Sequence, residues 1–288
     1  MFARKSQPPK LRPVSVREET DLIRDLEIHP HENAYLLGLL HDYTLKGLQQ
    51  MNWGNFYRVM DPYPQVLYQD VTGLVVLSRT DPQTISQFAR LLNTATLRTT
   101  RIIANEETAV GLHTCLVDLS PRWKKIRVDF PEQGMILNPE DLVALDESEL
   151  RYARPEEAKK IAEGSAHAMR EEIGIDTRED EFDRLVRSKS DLIEKNRYFI
   201  LAENGEILFQ AYLSARLPKA GQIQGVWVPP EHRNKGVATR CLAAMCRKTF
   251  ESCEAIVLRV QTRNLPARAA YLKVGFKDFL NYRSIWFV

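Results

Sequence analysis

Residues 223–239 read IQGVWVPPEHRNKGVAT, and the fold of the chain depends on the transition within this stretch. Its apolar first part indicates a strand, which the consecutive prolines Pro229 and Pro230 bring to an end. From Val237 to Phe250 apolar side chains recur at helical spacing. The first N–H groups of a helix lack intrahelical partners, and the helix dipole adds positive charge there. The stretch therefore predicts an anion-binding loop between a strand and a helix.

The residues of this loop, 233–239, suit a bulky anion such as a pyrophosphate. Gly236 has no Cβ, so the backbone can approach the anion closely and adopt a positive φ. Ala238 is small enough for the same purpose, and Arg233 and Lys235 supply mobile positive charge. The sequence contains neither G-x-x-x-x-G-K-[ST] nor G-x-G-x-x-G, so the loop is not of the Walker or dinucleotide-binding type.

Similar element orders before and after residue 145 suggest two domains, 1–145 and 146–288. In the first, β-prone runs at 56–60, 65–69 and 74–78 precede a helix, a strand and a helix, with further strands at 124–130 and 135–137. The second reads α-α-β-β-β-α-β-α-β, with an Asn204-Gly205 hairpin turn and a closing strand at 285–288. The letters show no convincing repeat, so a duplicated fold is predicted from topology alone.

A second motif follows the next predicted strand: residues 264–276 read NLPARAAYLKVGF. It is similar to the N-x-x-A-x-x-x-Y-x-x-x-G-F pattern of the GNAT N-acetyltransferases. Arg233, Gly236 and Ala238 match that family's [R/Q]-x-x-G-x-[G/A] loop. The resemblance implies an α/β (α+β) fold of the GNAT type, with a mixed central sheet flanked by helices. It also implies an acyltransferase that uses acetyl-CoA, whose pantetheine arm enters between two strands that splay apart.

The resemblance also implies roles for individual residues. Tyr271 would protonate the departing thiolate, and its ordinary pKa near 10 is close enough to that of a thiol for the transfer. Its structural alternative is a half-buried core aromatic, and Asn264 would serve equally as a helix cap. The cofactor-binding residues implied are Trp227, Val228, Arg233, Asn234, Lys235, Gly236, Val237, Ala238, Thr239 and Asn264.

The general base is less evident. An alkylamine has a pKa near 10.4, so a base must take its proton before it can attack. Gln224, on the strand before the loop, cannot serve. Tyr212, His167, Glu171 and Glu172 are candidates, and the acidic stretch at 171–176 lies where GNAT domains cover the acceptor. We expect Glu172 to be the base, although a solvated helix end explains either glutamate equally well.

The N-terminal half resembles the degenerate first unit of a bacterial family of two-domain GNAT proteins. The resemblance rests on Leu26, Pro30 and residues 33–38, which read NAYLLG. Before the predicted helix at 82–92, residues 79–82 read RTDP; they lack glycine and place Asp81 at the anion site. We therefore expect a unit that binds no cofactor, with a structural, dimer-forming or substrate-capping role. A homodimer is one assembly to expect.

Composition and charge exclude several other classes of protein. Forty basic and 38 acidic residues give a net charge of +2, too balanced to imply nucleic acid or an anionic membrane as a partner. No apolar run reaches the ~18–20 residues of a membrane span, and the basic N-terminus lacks the apolar segment of a secretory signal. The four cysteines fit neither a disulfide framework nor zinc spacing. We expect no metal and a cytoplasmic location.

The interpretation we favour is an N-acetyltransferase that moves an acetyl group from acetyl-CoA to an amine by direct attack in a ternary complex. The alternative is a non-catalytic acyl-CoA-binding sensor or scaffold protein, which the missing base favours and Tyr271 disfavours. Longer acyl chains also remain open. The acceptor can be a polyamine, an antibiotic, an amino acid or a protein amine.

Overall fold

A computed structural model describes residues 11–145 and 149–288, apart from the side chain of Asp180. These residues form two compact units. Unit 1 consists of residues 11–28, 42–130 and 282–288, and unit 2 of residues 29–41, 131–145 and 149–281. The boundary predicted between residues 145 and 146 falls at residues outside those described, so the division at that point stays a prediction. No helix in the described part of the chain is long and apolar enough to cross a membrane.

Unit 1 is a mixed sheet packed against helices. Its first strand pairs antiparallel with the second, the second antiparallel with the third, and the third parallel with the fourth. The second helix contains a break at Thr44, where φ is 55°. In chain order the elements are α1 (Glu19–Leu26), α2 (Ala34–Gln50), β1 (Gly54–Val59), β2 (Gln65–Asp70), β3 (Leu74–Leu77), α3 (Pro82–Thr94), β4 (Arg101–Asn105) and α4 (Glu106–Leu119).

Unit 2 repeats this pairing scheme. The remaining elements of the chain are β5 (Ile126–Leu137), β6 (Arg151–Tyr152), α5 (Ala158–Ile173), α6 (Glu179–Glu194), β7 (Tyr198–Glu203), β8 (Glu206–Arg216), β9 (Gly221–Trp227), α7 (Val237–Phe250), β10 (Ile256–Gln261), α8 (Leu265–Val274) and β11 (Lys277–Phe287). β7 pairs antiparallel with β8, β8 antiparallel with β9, and β9 parallel with β10. Each unit therefore shows the same antiparallel, antiparallel, parallel succession that the similar element orders predicted.

β5 and β11 each contribute residues to both units. In unit 2, residues 132–137 of β5 pair antiparallel with β10. In unit 1, residues 282–286 of β11 pair antiparallel with β4. The last strand of each sheet therefore comes from the other half of the chain.

Two sequence predictions are wrong at these strands. Residues 124–130 and 135–137 were expected to form two strands, but β5 is continuous, and the closing strand begins at Lys277 instead of residue 285. Pro131 lies within β5 although proline cannot donate to a ladder. It lies just before the first pair with β10, formed by Glu132, so its missing N–H removes no bond from that ladder.

Local chemistry explains the elements that carry the site. The hairpin between β7 and β8 turns through Asn204 and Gly205, both with positive φ (50° and 79°), as a type I′ turn requires. α7 buries the predicted apolar stripe in the core of unit 2, and its N-terminus thereby stays at the end of β9. The stripe residues that are buried are Val237, Cys241, Leu242, Met245 and Cys246.

The two units differ where a strand passes into a helix. In unit 1 the carboxylate of Asp81 caps α3 and accepts hydrogen bonds from the N–H groups of Gln83 (2.8 Å) and Thr84 (3.2 Å). β3 and β4 pair along most of β3. A carboxylate already occupies the place where an anion would bind, which opposes phosphate binding at α3.

Candidate active site

The predicted anion loop leads directly into α7. Gly236 is the N-cap residue, with φ 74°, and Asn234 also has a positive φ of 60°. No side chain caps this helix. The first N–H groups of α7, which belong to Val237, Ala238 and Thr239, are therefore available to an anion that approaches from the exposed side of the loop.

The arginine side chains of the loop are held in place. Arg233 donates through Nε to the carbonyl oxygen of Val228 (2.9 Å) and through Nη2 to the Glu171 carboxylate (2.7 Å). Its charge is therefore held in place, whereas the sequence analysis had expected a mobile charge. Arg240, which sequence reasoning missed, donates to the carbonyl oxygen of Lys235 (3.1 Å). Both arginines therefore stabilise the conformation of the loop.

Beside the loop, the strands β9 and β10 part. They pair only through Ile256 with Gly221 and Val257 with Gln222, so the rest of β9 has no parallel partner in β10. Towards β8, the register of β9 shifts between the pairs formed by Gln224 and Trp227. Gly225 lies within this bulge, with φ 62°. A glycine inside a strand often signals such a bulge, but the sequence analysis did not use it.

Tyr271 lies in the core of unit 2, on α8. Its side chain is 6% exposed and packs edge-on against Phe276, with ring centroids 5.9 Å apart. Burial, and secondarily the negative charge of Glu172, raises the pKa of the Tyr271 phenol. The phenol is therefore protonated at neutral pH, and it is a weaker acid than an ordinary tyrosine.

Glu171 and Glu172 lie in the last turn of α5, which ends at Gly174 in the left-handed conformation. Glu171 binds Arg233, as described, whereas Glu172 has another environment. The Glu172 side chain reaches solvent, yet the protein around its carboxyl desolvates it and raises its pKa, and the carboxylates of Glu132 and Glu171 add to the shift. A raised pKa makes the ionised carboxylate a stronger base.

Two residues at the end of β10 fix the position of Glu172, and sequence reasoning identified neither. Arg263 donates to the backbone carbonyl oxygen of Glu172 (2.7 Å) and to the side-chain oxygen of Gln261 (2.8 Å). Gln261 donates to the same carbonyl (3.4 Å). The end of α5 is thereby held at the end of β10, and the charge of Glu172 acts on the Tyr271 phenol.

The remaining predicted residues are arranged as follows. Asn264 caps α8 by accepting a hydrogen bond from the N–H of Ala267 (3.2 Å). This is the helix-cap role that the sequence allowed beside a cofactor contact. Trp227 ends β9 and lies parallel to His167 of α5, with ring centroids 6.2 Å apart. Val228 follows β9 and accepts the bond from Arg233. The cofactor contacts predicted for these residues stay predictions.

A cavity of about 400 Å³ opens between α5 and α6. Its polar lining comes from Glu163, His167, Arg170, Thr177 and Glu179, and Phe182 contributes an apolar wall. The shared His167 connects this cavity to Trp227 at the end of β9. The cavity is therefore a candidate site for an acceptor. Within the described residues, no group of three or more histidine, cysteine, aspartate or glutamate side chains is arranged to hold a metal ion.

The comparison with family models agrees with this geometry. The model of the Acetyltransferase (GNAT) family matches residues 164–276, which include α7, α8 and both motifs. Residues 164–276 therefore form a GNAT acetyltransferase domain. The GNAT domain makes the chain an acyltransferase, and the predicted fold class, a mixed sheet flanked by helices, is confirmed. No curated protein sequence matches this chain.

Several solved structures resemble this chain over nearly its whole length. A Drosophila melanogaster protein is 16% identical and aligns over 98% of this chain and 99% of its own, with a TM-score of 0.67. A GNAT-family acetyltransferase from Colwellia psychrerythraea is 13% identical over 97% and 100% of the two chains, with a TM-score of 0.60. A tandem GNAT protein from the clavulanic acid biosynthesis pathway is 12% identical over 96% and 98%, with a TM-score of 0.58. At these identities the likeness establishes the fold.

Proposed function

We propose that this chain transfers an acetyl group from acetyl-CoA to an amine by direct attack in a ternary complex. The observation that carries the proposal is a combination within unit 2. The uncapped N-terminus of α7 lies at the end of β9, where β9 and β10 part, and the same unit holds a buried phenol near a carboxyl group. The uncapped helix N-terminus suits a pyrophosphate, and the gap between the two strands suits a pantetheine arm. The phenol and the carboxyl group suit proton transfer.

In the proposed reaction, the thioester of acetyl-CoA supplies the electrophilic carbonyl carbon. As the amine nitrogen attacks, a C–N bond forms and the C–S bond breaks. Glu172 accepts the proton that the amine loses, and Tyr271 donates a proton to the leaving sulfur. The proton on Glu172 then returns through solvent to the Tyr271 phenolate, so an amide and a free thiol are the only products.

The remaining cofactor contacts are part of the same proposal. The N–H groups of Val237, Ala238 and Thr239 would bind the pyrophosphate, because no side chain caps them. Asn234 and Lys235 are exposed beside these groups and can contact the phosphates. Trp227, Val228 and Asn264 would contact the pantetheine arm, since Trp227 ends β9, Val228 follows it and Asn264 follows β10.

For the first 145 residues we propose an accessory domain that binds no acetyl-CoA. Two observations in unit 1 support this. Asp81 occupies the N-terminus of α3, and three of the four residues of β3 pair with β4. The division of the chain at residues 145 and 146 is part of this proposal.

Thiol release from acetyl-CoA tests the proposed function. With a panel of amines, wild-type protein should release thiol only when a competent amine is present. Glu172→Gln should lower kcat roughly tenfold, because water reaches this position and replaces part of the general-base contribution. In wild type, kcat should rise with pH through the raised pKa of Glu172, above the usual carboxyl value, and the variant should lack this rise.

The matched control is Glu194→Gln, which removes an exposed carboxylate at the end of α6. It should leave both kcat and the pH profile unchanged. Absence of thiol release across a broad panel would contradict the enzyme proposal and favour an acyl-CoA-binding sensor. An unaltered pH profile in Glu172→Gln would remove Glu172 from the mechanism.

A further inference from the structure

Lys189 of α6 is buried without a partner for its charge. The residue is 5% exposed, and no hydrogen bond or ion pair joins it to another described residue. Lysine is almost never fully buried unless it is paired. Its ammonium group instead lies over two aromatic rings, 4.4 Å from the centroid of Tyr212 on β8 and 5.6 Å from that of Tyr198 on β7. The usual role of lysine, a solvated charge at the protein surface, therefore does not explain Lys189.

Tyr212 connects Lys189 to the bulge in β9. Its hydroxyl donates a hydrogen bond to the side-chain oxygen of Gln224 (3.0 Å). Its ring lies against Gly225 so closely that a Cβ added there would be 2.5 Å from the ring carbon Cε1. The ring therefore supports the backbone that precedes Trp227, at the place where β9 leaves β10.

We propose that Lys189 is a positioning residue of the acyl-transfer site. Its ammonium group holds the Tyr212 ring against Gly225, and the ring in turn orients the Gln224 amide and the bulge of β9. This inference rests on the proposed function, because the bulge matters for turnover only if acetyl-CoA binds between β9 and β10.

The charge of Lys189 responds to pH near neutrality. Burial lowers the pKa of Lys189 to about 8. The groups that face the ammonium are the phenols of Tyr198 and Tyr212, and no carboxylate among the described residues contributes to the shift. Below this pKa the cation over the ring is present, and it is lost as the pH rises through about 8. The positioning effect should therefore fade at alkaline pH.

Lys189→Met tests the role, because it removes the charge and keeps an unbranched side chain. At pH 7 the variant should show kcat/KM reduced about tenfold, the scale of a buried cation–π contact. The ratio of wild type to variant should fall towards one above pH 8. Lys189→Arg keeps the charge and should lack this alkaline change. Lys248→Met is the matched control, since Lys248 also lies over a tyrosine ring, Tyr152, but is exposed.

A measurement without turnover separates this inference from the proposed function. Hydrogen exchange of the amides of residues 224–227 should be faster in Lys189→Met than in wild type or Lys248→Met at pH 7. If wild type releases no thiol with any amine, the proposed function fails, and the exchange rates still decide whether Lys189 holds the bulge. Unchanged exchange, or equal turnover of Lys189→Met and wild type at every pH, would overturn the positioning role.

Discussion

Replacing Gly236 with glutamate should abolish acetyl-CoA binding while the protein stays folded. Gly236 has φ 74°, and a side chain there would meet Arg240, 3.1 Å from the added Cβ. The new carboxylate would also stand beside the uncapped N–H groups of α7, as Asp81 does at α3. We expect the affinity to fall at least about 100-fold, because a charge-assisted anion site is lost and a repulsive charge is gained.

Calorimetry measures this loss, and thermal unfolding should show it as a missing shift in Tm on addition of acetyl-CoA. Wild type should bind one acetyl-CoA per chain, and Gly236→Glu none, because unit 1 offers no second site. Gly205→Glu is the control, since Gly205 also has a positive φ (79°) and lies in the β7–β8 turn with open space around it. Equal binding by wild type and Gly236→Glu would refute the loop assignment.

Replacing Tyr271 with phenylalanine should have the largest effect on turnover. The change removes one hydroxyl and preserves the ring that packs against Phe276. If Tyr271 is the general acid, kcat should fall by about 10²–10⁴-fold, the usual contribution of such a group. Acetyl-CoA affinity and Tm should change little. Thiol release with a competent amine, followed from low to high pH, measures the effect.

Tyr152→Phe provides the control for loss of a tyrosine hydroxyl in the same unit, where the ring packs against Phe199. Its kcat should match that of wild type. A Tyr271→Phe protein as fast as wild type would make Tyr271 a core aromatic, the alternative that its burial also permits.

The sequence predicts most elements of the fold because their signals are local. The stripe of α7, the Asn204-Gly205 turn and the Asp81 cap each depend on residues close together in the chain. The long strands β5 and β11 were predicted less well, because the residues of each are divided between the two units. Pairing between residues 132–137 and β10 is a contact of high sequence separation, which no short window of residues records.

The candidate site likewise has a part that the sequence predicts and a part that it does not. The loop around Gly236 and the position of Tyr271 follow from motifs with fixed spacing. The hydrogen bonds from Arg263 and Gln261 to the carbonyl of Glu172 join residues about 90 positions apart, and no sequence pattern predicts them. Lys189 likewise has no distinguishing signal in the sequence, because its burial depends on packing against β7 and β8.

A crystal structure of the full chain with CoA would locate the cofactor directly. The pyrophosphate should lie at the N–H groups of Val237, Ala238 and Thr239, and the pantetheine arm between β9 and β10. The sulfur should lie within hydrogen-bonding distance of the Tyr271 hydroxyl, on the side that Glu172 faces. CoA bound at α3 of unit 1, or a sulfur remote from Tyr271, would contradict the account.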